Sequence, residues 1–516
     1  MTGDERSGRA DGAAGSGDGA PPGVDFPADE AGRRSTSALG RAVVADALRR
    51  TDQAGALGAE QETNWRSGYL THFRRLVEAG LSSPDAARAI AADGLGSLHR
   101  RMRVHGPDGA DRELSSLQDD PPGRPLRTVT VTGTAEPAAE LTLPYRGESL
   151  RGGALSSRLD AWVQAGIIEP SCADAVRLVA AHPEWLRLPG RTVAVLGAGS
   201  EIGPLPVLLG WGATVAGVDL ASPRIWERVL GIARSSAGTL LVPAAGDAAD
   251  EAAITNQAGA DLGAEVPAIA GWLAGLDGSL VLGNYVYADG AANVRVCMAA
   301  DALTIRLEAE LPDVALAFLA TPTDVFAVPA DAVAQSVRAY ADRPLAVKLA
   351  GRPLRTLSGG RLLRRAYVPG ADPGINDSLV AQQGPNYALA KRLQRWRASV
   401  ARAAGTTVSL NVAPPTRTRS VVKNRALAAA YAGAHRFGVE VFEPDTCRVL
   451  MAALLVHDLN AGPAAPADAA GAAGPGPHPW QDEAFAAAHG GLWRIAWAPR
   501  SALGLAALLG YGAARS

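Results

Sequence analysis

Residues 191–203 read Arg-Thr-Val-Ala-Val-Leu-Gly-Ala-Gly-Ser-Glu-Ile-Gly, and residues 213–220 follow as ATVAGVDL. The first run, TVAVLG, is continuously apolar and β-branched, as a parallel strand buried on both faces must be. Each glycine after it has a task if a dinucleotide is held there. Gly197 permits the tight turn out of the strand. Gly199 removes a side chain where a pyrophosphate approaches the backbone. Gly203 lets the next helix pack closely on the sheet. The amides of Ser200, Glu201 and Ile202 then open a helix whose N-terminus favours phosphate. Asp219 ends the second strand, placed to accept hydrogen bonds from an adenosine ribose. A carboxylate there repels a 2′-phosphate, so NAD is favoured over NADP. S-adenosylmethionine is the chemical rival, since methyltransferases also pair a glycine loop with an acid. A plain glycine turn without a ligand is the bland alternative.

Outward from this stretch, helical and strand-like runs alternate. GSLVLGN, DVALAFLA and TTVSLNVA each read as buried strands. The alternation predicts an α/β fold with a doubly wound parallel sheet over about 186–460. Before it, residues 41–185 read as a mainly helical accessory region that covers a substrate or forms an oligomer interface. Ser83-Pro84 starts one helix there, and Ser171 caps another. TVTVTG and AELTL within 128–143 suggest a hairpin. Residues 1–40 lack large apolar groups and read as a disordered tail. Residues 461–516 read as a low-complexity linker and a C-terminal helical element.

Composition bounds the function. The chain has 516 residues, 47% of them hydrophobic, so it can bury more than one core. Its 50 basic and 52 acidic side chains nearly cancel, which argues against nucleic acid or an acidic membrane as a partner. Three separated cysteines, Cys172, Cys297 and Cys447, exclude a disulfide scaffold. The histidines show no metal-ligand spacing. No export signal or membrane span is legible, so a cytoplasmic protein acting on a small molecule is the expectation.

Only Lys348, Lys391 and Lys423 are lysines. One of them follows Tyr387 by four positions in YALAKRLQRWRASVARAAG, so both project from one helix face. A cationic Lys391 would lower the phenol's pKa and hold a nicotinamide ribose. A tyrosine so tuned passes a proton to or from a carbonyl oxygen while hydride moves.

In this order the motifs resemble those of the short-chain dehydrogenases/reductases, as a divergent member with a long N-terminal extension. GAGSEIG looks like that family's glycine signature, with Glu201 in place of one glycine. Asp261-Leu262 resembles its acid after the third strand, facing the adenine. LVLGN, ending at Asn284, sits where the family has an Asn-Asn-Ala-Gly strand, although Tyr285 and Val286 depart from it. TVSLNVAPPTRT is similar to its Pro-Gly…Thr segment, giving Pro414 and Thr418 a place beside the cofactor. The resemblance implies NAD(P)-dependent interconversion of an alcohol and a ketone or aldehyde, with Tyr387 as general acid/base. It implies pairing into dimers or tetramers through the tyrosine helix. The family's serine has two candidates: Ser378, nine residues before Tyr387, or Thr321 (or Thr323) at the end of the fifth strand. In the second case about 330–380 is an insertion. Its cluster of Arg338, Arg343, Lys348, Arg352, Arg355, Arg361, Arg364 and Arg365 would bind an acidic substrate, or is a solvated surface. The altered elements also admit a catalytically silent dinucleotide-binding scaffold.

Overall fold

The computed structural model describes residues 22–246, 251–461 and 477–512. Seven strands form the main sheet: β1 (Arg127–Thr132), β2 (Arg191–Leu196), β3 (Thr214–Val218), β4 (Thr239–Ala244), β5 (Ser279–Asn284), β6 (Ala315–Ala320) and β7 (Val408–Val412). Their order is β7-β6-β5-β2-β3-β4-β1. All neighbours are parallel except β1, which runs antiparallel along β4. From β2 outward, this is the doubly wound strand order of a dinucleotide fold. The central strands are buried on both faces, as the apolar runs require.

The register aligns the chemistry. Asn284 pairs with Leu196 on one side and Phe318 on the other. The ends of β2, β5 and β6 therefore stand side by side, and Gly197, Tyr285 and Thr321 leave the sheet at one edge.

Several expectations change. The 128–143 hairpin does not form: β1 instead covers the free edge of β4 along its whole length, and Leu143–Tyr145 pairs with Glu148–Leu150. Ser171 does not cap its helix, which begins at Pro170 after Glu169; its hydroxyl accepts from Ala486 N. Ser83 does cap its helix, accepting from Ala86 N at 3.1 Å. Of the expected tail 1–40, residues 1–21 lie outside the described residues. Within residues 22–40, Val24, Phe26 and Leu39 are buried, and Gly23–Asp25 forms a strand. Most of the expected linker, 462–476, also lies outside the described residues.

Three N-terminal helices, α1 (Thr36–Leu48), α2 (Trp65–Gly80) and α3 (Pro84–Arg101), pack beside α4 (Ala291–Glu310) and the tyrosine helix α5 (Gly384–Ala403). Gly94 of α3 leaves just enough room for the Trp396 ring of α5, where any Cβ would collide. The outer face of α5, expected to pair with a second copy, is thus covered by this chain's own helices. Buried Asp301 of α4 ties them together, accepting from Arg397 at 2.7 and 2.8 Å and meeting His99 of α3 at 2.6 Å.

A second buried network joins the accessory region to the C-terminal segment. Glu169 receives Arg494 at 2.8 Å and 2.5 Å, and meets His489 at 2.8 Å. Burial pushes the Glu169 carboxyl up, but hydrogen bonds from His489 and Arg494 outweigh it and hold it at about 2. That lies below the ordinary 4.5, so the stabilisation is full above the ordinary value and is lost as pH falls toward the folded one. The expected outcome in urea unfolding is that Glu169→Gln costs about 3 kcal/mol at neutral pH and much less in acid, where the wild-type carboxyl is itself protonated.

Candidate active site

One large cavity, about 1220 Å³, opens along the carboxyl edge of β2, β3, β5, β6 and β7. Ligands of open α/β sheets bind there, where the strand order reverses. Gly197, Gly199, Ser200, Glu201, Ile202, Asp219, Asp261, Leu262, Asn284, Thr321, Ser378, Tyr387, Lys391, Pro414 and Thr418 all line it. Of the residues named from the sequence for catalysis and the cofactor, Gly203 does not.

The glycine loop is held by its own chain. Gly197 has φ +84°, and a Cβ there would lie 2.9 Å from Tyr285 O; glycine is required twice over. The Gly199 amide donates to Asp219 Oδ2 at 2.8 Å, and Leu220 N donates to Asp219 Oδ1 at 2.8 Å. Arg228, absent from the sequence reading, donates to Gly199 O at 2.6 Å. A side chain on Gly199 would come within 2.7 Å of that guanidinium. Asp219 keeps further lone pairs facing the cavity, which suits ribose hydroxyls.

Two details differ from expectation. Gly203 faces Ser200 within the loop, not the sheet. The helix after the loop begins only at Leu205 and is seven residues long, preceded by Pro204. Its first turn therefore offers less to a phosphate than the glycine pattern suggests, because proline carries no N–H. Glu201, on the loop, accepts from Arg419 N at 2.9 Å and meets its guanidinium at 3.5 Å. The carboxylate is turned to that partner. At the other end, Asp261 accepts from Gly263 N, and Val24 N donates to Gly263 O at 2.8 Å. Pro22 and Val24 line this end, so a segment read as tail forms a wall of the site.

At the reaction end, Thr321 acts on the Tyr387 phenol and works to lower its pKa, and the Thr321 hydroxyl lies 2.9 Å from that of Thr323. Ser378 is buried and donates instead to Asn376 Oδ1. Both hydroxyls line the cavity, and Thr321 stands directly after the end of β6 at the sheet edge. The Lys391 ammonium donates to Leu319 O at 3.3 Å and Gln394 Oε1 at 2.9 Å. Gln394 in turn donates to Asn284 Oδ1 at 3.1 Å and Cys297 Sγ at 3.7 Å. Gln394 was missed from sequence, although it stands one helical turn beyond Lys391.

The expected depression of the phenol by the lysine is corrected. Burial pushes Tyr387 above its ordinary 10.0, Thr321 offsets only part of it, and Lys391 is not among the groups acting on it. Burial also lowers Lys391. Two further tyrosines were missed. Tyr287 meets the Tyr387 ring edge-on at 6.3 Å, and Tyr431 lines the cavity on a helix to which no motif pointed.

None of the eight cations of the 338–365 cluster lines the cavity. Arg343 instead stacks on Tyr340 at 3.4 Å, and Lys348, Arg352 and Arg355 lie on the separate helix Leu345–Leu357. The cations that do line it are Arg228, Arg295, Lys391, Arg419, Lys423 and Arg500. Among the described residues, no group of three or more His, Cys, Asp or Glu could hold a metal ion, and no helix is long and apolar enough to cross a membrane.

No protein family's model matches the chain, and no curated protein matches it. Solved structures similar to it include the following two. One is an A1-type ketoreductase, 17% identical, with TM-score 0.29 over 53% of this chain and 47% of that one. The other reports A-type ketoreductases from a modular polyketide synthase, 18% identical, with TM-score 0.29 over 53% and 47%. The match spans about half the length of each.

The positions of Thr321 and Tyr387 both depend on Asp324. It receives Arg392 at 2.7 Å and Arg395 at 2.7 Å, all three buried, and Arg395 also binds Glu483. Asp324→Ala leaves two guanidiniums without this partner, so chemical denaturation should show a loss of about 3–5 kcal/mol.

Proposed function

We propose that the protein is a NAD(H)-dependent oxidoreductase of short-chain dehydrogenase/reductase type that interconverts an alcohol and a ketone or aldehyde. The carrying observation is the convergence of Tyr387, Thr321 and Lys391 on one cavity edge beside the glycine loop. A dinucleotide fits the residues present: Gly197 and Gly199 line the cavity without side chains, and the Asp219 oxygens, each accepting one backbone amide, keep further acceptor capacity. When bound, the nicotinamide supplies or takes the hydride.

The chain's own groups do the rest. Asp219 and the Gly199 loop hold the adenosine end. Lys391, fixed by Leu319 O and Gln394, offers its remaining proton to a ribose hydroxyl. Tyr387 gives its phenolic proton to the carbonyl oxygen, and Thr321 orients the phenol. Because burial raises the Tyr387 pKa, the phenol keeps its proton at neutral pH. That favours carbonyl reduction as the faster direction.

Three outcomes are expected. Tyr387→Phe retains dinucleotide binding, read as a thermal shift, and loses turnover by about a hundredfold or more. The reduction rate of the wild type stays flat through neutral pH and falls only above pH 10, as the phenol ionises; a fall below pH 9 would mean another group donates the proton. NAD raises the melting temperature more than NADP at equal concentration, and S-adenosylmethionine does not raise it.

A further inference from the structure

Beyond Tyr387 the cavity continues into a chamber that the proposed chemistry does not use. Its walls are α6 (Arg425–Gly433), the segment 434–441 that leads toward α7 (Pro444–Asn460), residues 492–495 and α8 (Pro499–Gly510). Helices α6 and α8 cross at two glycines: a Cβ on Gly433 would strike Ala506 O, and one on Gly510 would strike Ala429 O. The close crossing makes α8 a fixed wall.

The lining is apolar. Leu427, Phe437, Leu492, Ile495, Leu503 and Ala506 supply much of it. Those walls bring one charged side chain to the cavity, Arg500, which is already paired with Asp377 at 2.9 Å. Tyr431 of α6 lines the same cavity as Tyr387. Each apolar wall left facing water is unfavourable, and an apolar occupant would remove that area from solvent.

We infer that the substrate is a neutral carbonyl compound with a long apolar body, lodged against the wall that α6 and α8 form together while its carbonyl oxygen reaches Tyr387. The inference rests on Tyr387 as proton donor and adds the substrate class. An acidic substrate, expected from the arginine cluster, finds one cation among the cavity-lining residues of these walls, Arg500, which Asp377 already holds.

Calorimetric binding of unbranched methyl ketones from butanone to undecanone, to the full chain with NAD(H), tests it. Affinity should rise about fourfold per added methylene until the chamber is full. Ala506→Trp and Leu503→Trp should each weaken undecanone by about tenfold relative to butanone, by filling the space. Affinity independent of chain length overturns the inference, as does tighter binding of an ω-carboxylated ketone of equal length. The wild-type series decides if either variant fails to fold. Turnover measured in parallel separates the two readings: length-dependent binding without hydride transfer leaves the chamber assignment standing and removes the proposed activity.

Discussion

Asp324 is the point on which the site's geometry depends. It lies three residues beyond Thr321 and receives Arg392 and Arg395, which follow Lys391 on α5. Burial works against its charge, but the two guanidiniums outweigh that and hold the carboxyl below the ordinary range. A buried ion network is weak evidence for net stability, because desolvation offsets much of the attraction. Its effect here is geometric. It admits one rotation and one height of α5 against the end of β6, and therefore one position of Tyr387 against Thr321.

The accessory region serves the same end from the other side. α3 lies along α5 through Gly94 and Trp396, and His99 reaches Asp301, which also binds Arg397. The tyrosine helix is thus clamped between the sheet and the N-terminal helices. Sites placed on rigid, packed elements hold their groups more precisely than sites on loops. The other walls are of a different kind. Glu201 bridges the glycine loop to Arg419, and α6 and α8 close the far chamber through a glycine crossing.

The legible part of the fold was local. TVAVLG, ATVAGVDL, GSLVLGN, DVALAFLA and TTVSLNVA all became parallel strands, because a strand buried on both faces has to be continuously apolar. β4 was harder to see, since Pro243 interrupts its pattern. The site residues followed the strand ends, where spacing along the chain is also spacing in space. Tyr431, Arg228 and the wall made by Pro22 and Val24 were illegible: each reaches the cavity through a long-range contact that leaves no periodic trace.

The sequence by itself determined the sheet's strands, the glycine turn with its positive φ at Gly197, and the shared face of Tyr387 and Lys391, since these depend on residues a few positions apart. Only the tertiary structure decided that Thr321 and not Ser378 acts on the phenol, that the arginine cluster stands away from the cavity, and that burial raises the Tyr387 pKa. Those outcomes depend on which distant segments exclude water from a group and which supply its partner, and neither is encoded in local spacing.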